Sequence, residues 1–214
     1  MKNYIKILAL PITILIIMII ILVTNIPHLE YKYDEIEQGY FITNAVGNAE
    51  YYNISDTYKG KPVLGIAEKA FYKHNNLKEI NLPSSIKYID RMAFSECKNL
   101  SKINLDNIEE IERNAFSYCK NLTTVNLNAT DIGASAFYKC INLEEINLNN
   151  TITIGTLCFS NTKIENISIP KTCDLFGGDV FFECEKLKTI NVYSNKLKDN
   201  DYLQSLKNVN WIGE

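Results

Sequence analysis

Six cysteines and two histidines are the residues of this 214-residue chain whose side chains could act as nucleophiles, form disulfides or bind a metal ion. His74, Cys97, Cys119 and Cys140 follow one another at spacings of 23, 22 and 21 residues. If residues with this period stack in coils about 4.8 Å apart, the four side chains spread over about 14 Å and cannot surround one zinc ion. We therefore predict neither a metal site nor a cofactor, and we expect His74 to lie in the first, more exposed coil.

Packing explains the positions of all six cysteines. Four of them follow a recurring phenylalanine by three residues, Cys158 replaces a recurring alanine, and Cys173 replaces a recurring isoleucine. Because unpaired cysteine behaves as a small apolar side chain in a core, we predict buried free thiols. The alternative is one strained disulfide, Cys97–Cys119 or Cys119–Cys140, since the strand spacing exceeds the roughly 3.8 Å preferred between bridged Cβ atoms.

The sequence contains no recognisable catalytic motif. Neither His28 nor His74 lies in a nucleophile–base arrangement, and there is no G-x-S-x-G, phosphate-binding loop, H-E-x-x-H or dinucleotide fingerprint. Carboxylate pairs such as Glu109-Glu110 and Glu144-Glu145 recur beside the predicted strands, where a solvated face is the ordinary explanation. We predict that the protein is not an enzyme.

The cysteines and His74 are positioned by a repeat of about 22 residues. A phenylalanine recurs at spacings of 23, 22, 21, 22 and 22 residues, as Phe71, Phe94, Phe116, Phe137, Phe159 and Phe181. The residue before it is small in most repeats, and an isoleucine stands five residues before it in all but the last. Such apolar columns predict a solenoid, in which each coil buries its apolar face against its neighbours.

A short alternating segment follows each phenylalanine, for example Ile103-Asn104-Leu105. Alternation predicts a strand with one buried face. A period of 21 to 23 residues lies in the leucine-rich-repeat range, in which the strands stack as a parallel sheet on one side of the coil. We predict about six coils over residues 39–194 and a C-terminal cap over 195–214, with a short helix between Asp199 and Leu206 that is N-capped by Asp199 or Asn200.

The repeat resembles a known family. The segment from Ile89 to Leu105 and the lead-in Tyr58-Lys59-Gly60-Lys61-Pro62-Val63 are similar to the BspA-like, or Treponema-type, leucine-rich repeat, and the resemblance covers roughly residues 40 to 193. Members of that family are typically surface-exposed or secreted proteins of bacteria and some protists, and several are regarded as adhesins. The resemblance implies display and binding, and it supplies no catalytic residues.

The N-terminus carries an apolar segment that precedes the repeats. We predict a cytoplasmic N-terminus over residues 1–4, a transmembrane signal-anchor over 5–26 and a polar stalk over 27–38. Lys2 and Lys6 favour an internal N-terminus by the positive-inside rule, which leaves the bulk of the chain outside the cell on a single-pass anchor. The alternative is a cleaved signal peptide and a secreted chain, although no small-residue cleavage site follows Val23.

The outward positions of the predicted sheet form a polar strip. Two columns alternate with the buried residues, and the strip's candidate binding residues are Glu79, Asn81, Lys102, Asn104, Thr124, Asn126, Glu145, Asn147, Thr189 and Asn191. Amides both donate and accept hydrogen bonds, so the strip is a candidate surface for a protein or glycan ligand. The alternative is that stacked asparagines only stabilise the sheet.

Composition and charge further limit the classes of partner that the protein is expected to bind. A formal net charge of −3, with lysine and glutamate mixed along the chain, provides no clustered basic face, so we predict no nucleic-acid binding. The predicted function is an extracytoplasmic, membrane-anchored binding or adhesion module. The alternative is a non-catalytic structural or regulatory subunit that binds another envelope protein.

Overall fold

The computed structural model describes residues 26–212 and, within the apolar segment, Ile14, Ile16 and Ile17. Those three isoleucines are helical and exposed. The predicted cytoplasmic residues 1–4 and the rest of the predicted anchor before residue 26 lie outside the described residues. Within the part of the chain that is described, no helix combines the length and the apolar character needed to cross a membrane.

The chain coils into a solenoid with strands on two sides. The first side is one nine-stranded sheet, called here the long sheet. Its strands are β1 (His28–Asp34), β2 (Gly39–Val46), β4 (Thr57–Tyr58), β5 (Lys61–Ile66), β7 (Tyr88–Ile89), β9 (Glu110–Ile111), β11 (Asp131–Ile132), β13 (Thr153–Ile154) and β15 (Leu175–Phe176). From β2 to β15 the successive coils pair in parallel, as the repeat predicts.

The second side, called here the strip side, carries the strands that the alternating pattern predicts. They are β3 (Tyr51–Asn53), β6 (Glu79–Asn81), β8 (Lys102–Ile103), β10 (Thr124–Leu127), β12 (Glu145–Leu148), β14 (Asn166–Ile169), β16 (Thr189–Val192) and β17 (Val209–Trp211). The leucine-rich-repeat coil is thus confirmed, but the stack is longer than the six predicted coils. It is longer because β3 adds a rung before the first phenylalanine repeat and β17 adds one after the last.

We predicted a polar stalk over residues 27–38, but most of this segment forms a strand of the long sheet. Strand β1 pairs antiparallel with β2 and extends the long sheet at its N-terminal edge, and Tyr31 packs on Tyr58 with ring centroids 4.0 Å apart. The alternation of Leu29, Tyr31 and Tyr33 with polar residues is short but sufficient to give this strand one packed face.

The C-terminal residues close the last coil. A 3-10 turn (Asn195–Leu197) leads into the helix α1 (Asp201–Ser205), whose N-cap Asn200 accepts a hydrogen bond from the Leu203 N–H at 2.9 Å. The predicted helix and its Asn200 cap are confirmed. The segment after α1 returns to the strip side as β17, which the sequence analysis did not predict.

The phenylalanine column is the centre of the core. Neighbouring rings of the six column phenylalanines stack with centroids between 4.9 and 6.1 Å apart. Five of these rings, from Phe71 to Phe159, are at most 1% exposed. Stacked aromatic rings add to the apolar area that each coil buries against the next, so the column holds neighbouring coils in register.

The turn around each column phenylalanine has an unusual backbone. The residues two positions before and two positions after it have φ between +53° and +62°, as at Met92 and Glu96 around Phe94. Left-handed backbone costs about 1–2 kcal/mol at a residue other than glycine. The alternation turns every second N–H toward the next coil: Phe94 donates to the Ala115 carbonyl at 2.8 Å, and Glu96 donates to that of Ser117 at 2.8 Å. These bonds between coils offset the backbone cost.

Candidate functional site

The ten candidate residues all lie on the strip side, but they do not form one continuous surface. Within the described residues, strand β8 pairs with no strand of the next coil; on this side the two coils share one isolated bridge, between Leu105, two residues after β8, and Leu127. Strand β12 does not pair with β14. The strip is therefore divided into three sheets: β3-β6-β8, β10-β12 and β14-β16-β17. These breaks could not be predicted from the sequence, because each repeat, taken alone, has a similar strand pattern.

At the two ends of the strip the amide column is engaged in the scaffold. The Asn81 Nδ2 donates to Asn53 Oδ1 at 3.0 Å, and the Asn210 Nδ2 donates to Asn191 Oδ1 at 3.2 Å. Each bond joins an asparagine to its neighbour in the adjacent coil. At these positions the interpretation that stacked asparagines stabilise the sheet is supported.

Asn104 has a different role from its neighbours. Its Oδ1 accepts from the Leu82 N–H and its Nδ2 donates to the Leu82 carbonyl, each at 2.8 Å, so the half-buried amide satisfies the backbone of the preceding coil. Nothing in the alternating pattern distinguishes this asparagine from the others. We assign it to the scaffold, because removing it would leave two polar backbone groups without partners.

Asn126 and Asn147 are the exposed amides of the column. They lie directly opposite each other in β10 and β12, and the structure gives neither side chain a hydrogen-bond partner among residues 26–212. Thr124 and Glu145, two positions earlier in the same strands, are also exposed and opposite each other. These four candidates form one exposed group whose polar atoms are available to a ligand.

The other candidates that lie two positions before the asparagine column are less available to a ligand. Glu79 and Lys102 form an ion pair at 2.6 Å across β6 and β8. An ion pair at the surface contributes little to stability, but it engages both side chains. Thr189 is half-buried and lies opposite Asn166 of β14.

A cavity of about 600 Å³ opens at the break between β12 and β14. Its lining residues are Glu144, Glu145, Lys163, Glu165, Asn166 and Lys186. The fifth coil has one residue fewer than its neighbours between the column phenylalanine and the following apolar position, Ile164. This missing residue is the sequence feature that marks the position of the cavity, although it does not by itself predict one.

The charges around the cavity are only partly paired. Glu165 forms an ion pair with Lys188 at 2.6 Å, and the Lys163 ammonium donates to Asn142 Oδ1 at 2.8 Å. Glu144, Glu145 and Lys186 form no ion pair within the described part of the chain. The cavity therefore offers carboxylates and an ammonium group to a polar ligand.

The cysteine column is a packing feature. All six cysteines are free thiols, and five of them are buried. The Cys97 and Cys119 thiols donate to the Phe71 and Phe94 carbonyls at 2.9 and 3.1 Å, and burial raises the pKa of Cys97 to about 12. Burial also raises the pKa of Cys119. Because the thiolate is the reactive form, these side chains are poor nucleophiles.

His74 is buried, which corrects the expectation of an exposed first coil. It is 9% exposed because Tyr52 of β3 covers it, with 3.4 Å between the Tyr52 hydroxyl and Nε2. Burial lowers the pKa of His74. Within the described ranges, no three or more His, Cys, Asp or Glu side chains are grouped so that they could hold a metal ion.

The repeats match a described family. The BspA type leucine-rich-repeat region matches in six copies, over residues 34–154, 64–188 and 123–208. No curated protein matches the chain.

Solved bacterial leucine-rich-repeat structures share the fold. The T. pallidum leucine-rich-repeat protein is 25% identical, with a TM-score of 0.60 over 76% of this chain and 68% of that one. A leucine-rich cell surface protein of Faecalibacterium prausnitzii is 25% identical, with a TM-score of 0.65 over 79% of this chain and 55% of that one. The pneumococcal vaccine antigen PcpA is 22% identical, with a TM-score of 0.65 over 81% and 51%. The chain thus spans only about half the length of the last two.

Proposed function

The chain belongs to the BspA-type leucine-rich-repeat family, and from that premise we propose that it is a non-catalytic binding module displayed outside the cell. Its strip side recognises a protein or glycan partner. The observation that carries the proposal is the exposed group on β10 and β12, where Asn126 and Asn147 present amides that the scaffold does not use.

The break between β12 and β14 lies beside this group and supports the same surface as the binding site. Glu145 belongs both to the exposed group and to the lining of the 600 Å³ cavity, so a ligand that contacts Asn147 also reaches the unpaired groups of Glu144 and Lys186. Binding sites are typically concave and combine a few well-placed polar groups. We therefore centre the binding site on the exposed group and this cavity, and we leave Asn81, Asn104 and Asn191 to the scaffold.

The proposal places the solenoid on a membrane anchor. Residues 5–26, whose apolar run from Ile7 to Val23 is preceded by Lys2 and Lys6, act in this proposal as a single-pass signal-anchor. The F. prausnitzii neighbour is described as a cell surface protein, which agrees with display outside the cell. Retention of the chain in membranes after a high-salt wash is expected, whereas release of the chain without detergent would contradict the anchor.

A binding screen tests the function. The full chain in a non-ionic detergent is applied to immobilised extracellular-matrix proteins, glycans and solubilised envelope extract, with the heat-unfolded chain as the control. Saturable binding of the folded chain to a matrix protein or glycan is the expected result. Co-purification of a single envelope protein without such binding would instead favour a structural or regulatory subunit, and the absence of any folded-state binding would refute both functions.

A further inference from the structure

A second concave surface lies on the long sheet, away from the strip side. It is a cavity of about 560 Å³ between the β1–β2 hairpin and strands β7 and β9, called here the acidic groove. Its principal residues are Asp34, Phe41, Tyr88, Asp90, Glu110 and Glu112.

Aromatic rings from two coils line this groove. Gly65 of β5 has no side chain, and the Phe41 ring lies over it, where a Cβ would collide with the ring. Phe41 therefore reaches past β5 and lies nearly parallel to Tyr88 of β7, with ring centroids 6.2 Å apart and planes 16° apart. Both side chains remain partly exposed, so their faces are accessible from the groove.

The groove carries an excess of negative charge. Five carboxylates and one ammonium group, that of Lys32, belong to its lining. The neighbouring cations are engaged elsewhere: Arg91 is paired with Glu68 at 2.7 Å, and Lys87 is paired with Glu109 at 3.2 Å. Arg113 lines an adjacent depression that shares Glu110 and Glu112 with the groove, but it forms no ion pair with either carboxylate within the described part of the chain.

The titration of Asp90 gives a second sign of this uncompensated charge. Burial is the largest cause that raises the pKa of Asp90 to about 6, and the carboxylates of Glu112, Glu110 and Glu68 add to it. A carboxyl next to a matched cation would have its pKa lowered instead.

We propose that the acidic groove binds an extended, cationic segment of a partner protein that carries lysine or arginine side chains. Ammonium and guanidinium groups pair with Glu110 and Glu112, and they are attracted to the faces of Tyr88 and Phe41. The strands from β2 to β9 span three strand spacings, about 14 Å, which accommodates roughly four residues of extended chain. Charge complementarity selects this occupant over an apolar one, and the site is independent of the strip side.

A peptide titration on the full chain in non-ionic detergent tests the proposal. The probe is a fluorescein-labelled peptide of alternating lysine and glycine, about eight residues long, or roughly 25 Å when extended. A glutamate–glycine peptide of the same length is the control, and binding is followed by fluorescence anisotropy at low ionic strength. We expect saturable binding of the lysine peptide only.

Two variants locate the binding. Glu110→Gln with Glu112→Gln is expected to weaken binding about tenfold, which corresponds to two surface ion pairs. The matched control, Glu183→Gln with Glu185→Gln, has the same charge change and the same residue spacing on exposed positions of the last repeat, and it is expected to leave the affinity unchanged. Tyr88→Leu, which keeps the charge, is expected to weaken binding about threefold by removing a cation–π contact.

Three outcomes would overturn the proposal. The first is lysine-peptide binding no stronger than that of the glutamate peptide. The second is an equal loss in the control variant, which would indicate general attraction to a negatively charged chain. The third is displacement by calcium chloride far beyond that by sodium chloride of equal ionic strength, which would make the groove a metal-cation site. Changing Asn126→Lys and Asn147→Lys on the strip side, in contrast, is expected to leave the affinity for the lysine peptide unchanged, which distinguishes the two sites.

Discussion

Asn104 bonds both backbone groups of Leu82 in the preceding coil, accepting from its N–H and donating to its carbonyl at 2.8 Å each. The side chain takes over the hydrogen bonds just beyond the short strand β8, and β8 is also where the strip is interrupted. One asparagine column thus contains residues with two roles, since Asn104 belongs to the scaffold while Asn126 and Asn147 are exposed without a partner among residues 26–212.

This division predicts different stability effects within the column. Asn104→Ala leaves the Leu82 backbone unsatisfied and is expected to lower the free energy of unfolding by about 1–3 kcal/mol. Asn126→Ala removes an exposed amide and is expected to change it by less than about 0.5 kcal/mol. Urea unfolding of the two single variants measures the difference. Equal effects would show that Asn104 is not a scaffold residue.

The column phenylalanines, the free cysteines and the strip-side strands of the six phenylalanine repeats could be predicted from the sequence, because their side chains recur at one period and all face the same core. The N-cap Asn200 was also predictable from residue type. These features depend on local pattern and on stacking with an identical neighbour. A repeated sequence encodes both of these, so the features that depend on them could be predicted.

Other features depend on contacts that the period does not encode. Strand β1 was expected to be a stalk because its stabilising contacts are with β2 and with Tyr58 rather than with a repeat. His74 was expected to be exposed, and it is covered by Tyr52 from a rung that lacks the column phenylalanine. The cavity beside β14 arises from a one-residue difference whose effect appears only when two coils are stacked.

Asp90 is expected to make stability depend on pH. Its folded pKa of about 6 lies above the usual carboxyl value of 3.8. The neutral carboxyl therefore contributes fully to the free energy of unfolding below about pH 3.8, and this contribution is lost as pH rises through about 6. Asp90→Asn should therefore raise the free energy of unfolding at pH 8 by about 1 kcal/mol, after allowance for solvent screening of this partly exposed group.

Thermal unfolding of Asp90→Asn and the parent chain between pH 4 and pH 8 measures this dependence. The advantage of the variant should shrink as pH falls below the folded pKa. An advantage that is constant with pH would mean that Asp90 does not titrate in the way its surroundings imply.

The thiols predict a pattern of chemical labelling. Cys184 is only half-buried, whereas Cys97, Cys119, Cys140, Cys158 and Cys173 are buried. In the native chain, iodoacetamide should modify Cys184 first and slowly, and the other five should react only after unfolding, because burial suppresses both access and thiolate formation. Mass spectrometry of the labelled peptides gives the order. Rapid labelling of Cys119, or a peptide joined through Cys97 and Cys119, would contradict buried free thiols.

We expect the strip side to bind its partner through the exposed group on β10 and β12. The most direct measurement is the affinity of the full chain for the partner found by the binding screen, compared with that of a variant carrying Asn126→Lys and Asn147→Lys. A matched control carries Asn76→Lys and Asn121→Lys, which add the same charge at exposed amides outside the strip. We predict at least a tenfold loss of affinity in the strip variant, or about 1.4 kcal/mol, with unchanged circular dichroism and an unaffected control. An unchanged affinity in the strip variant would contradict the claim and leave the strip as scaffold alone.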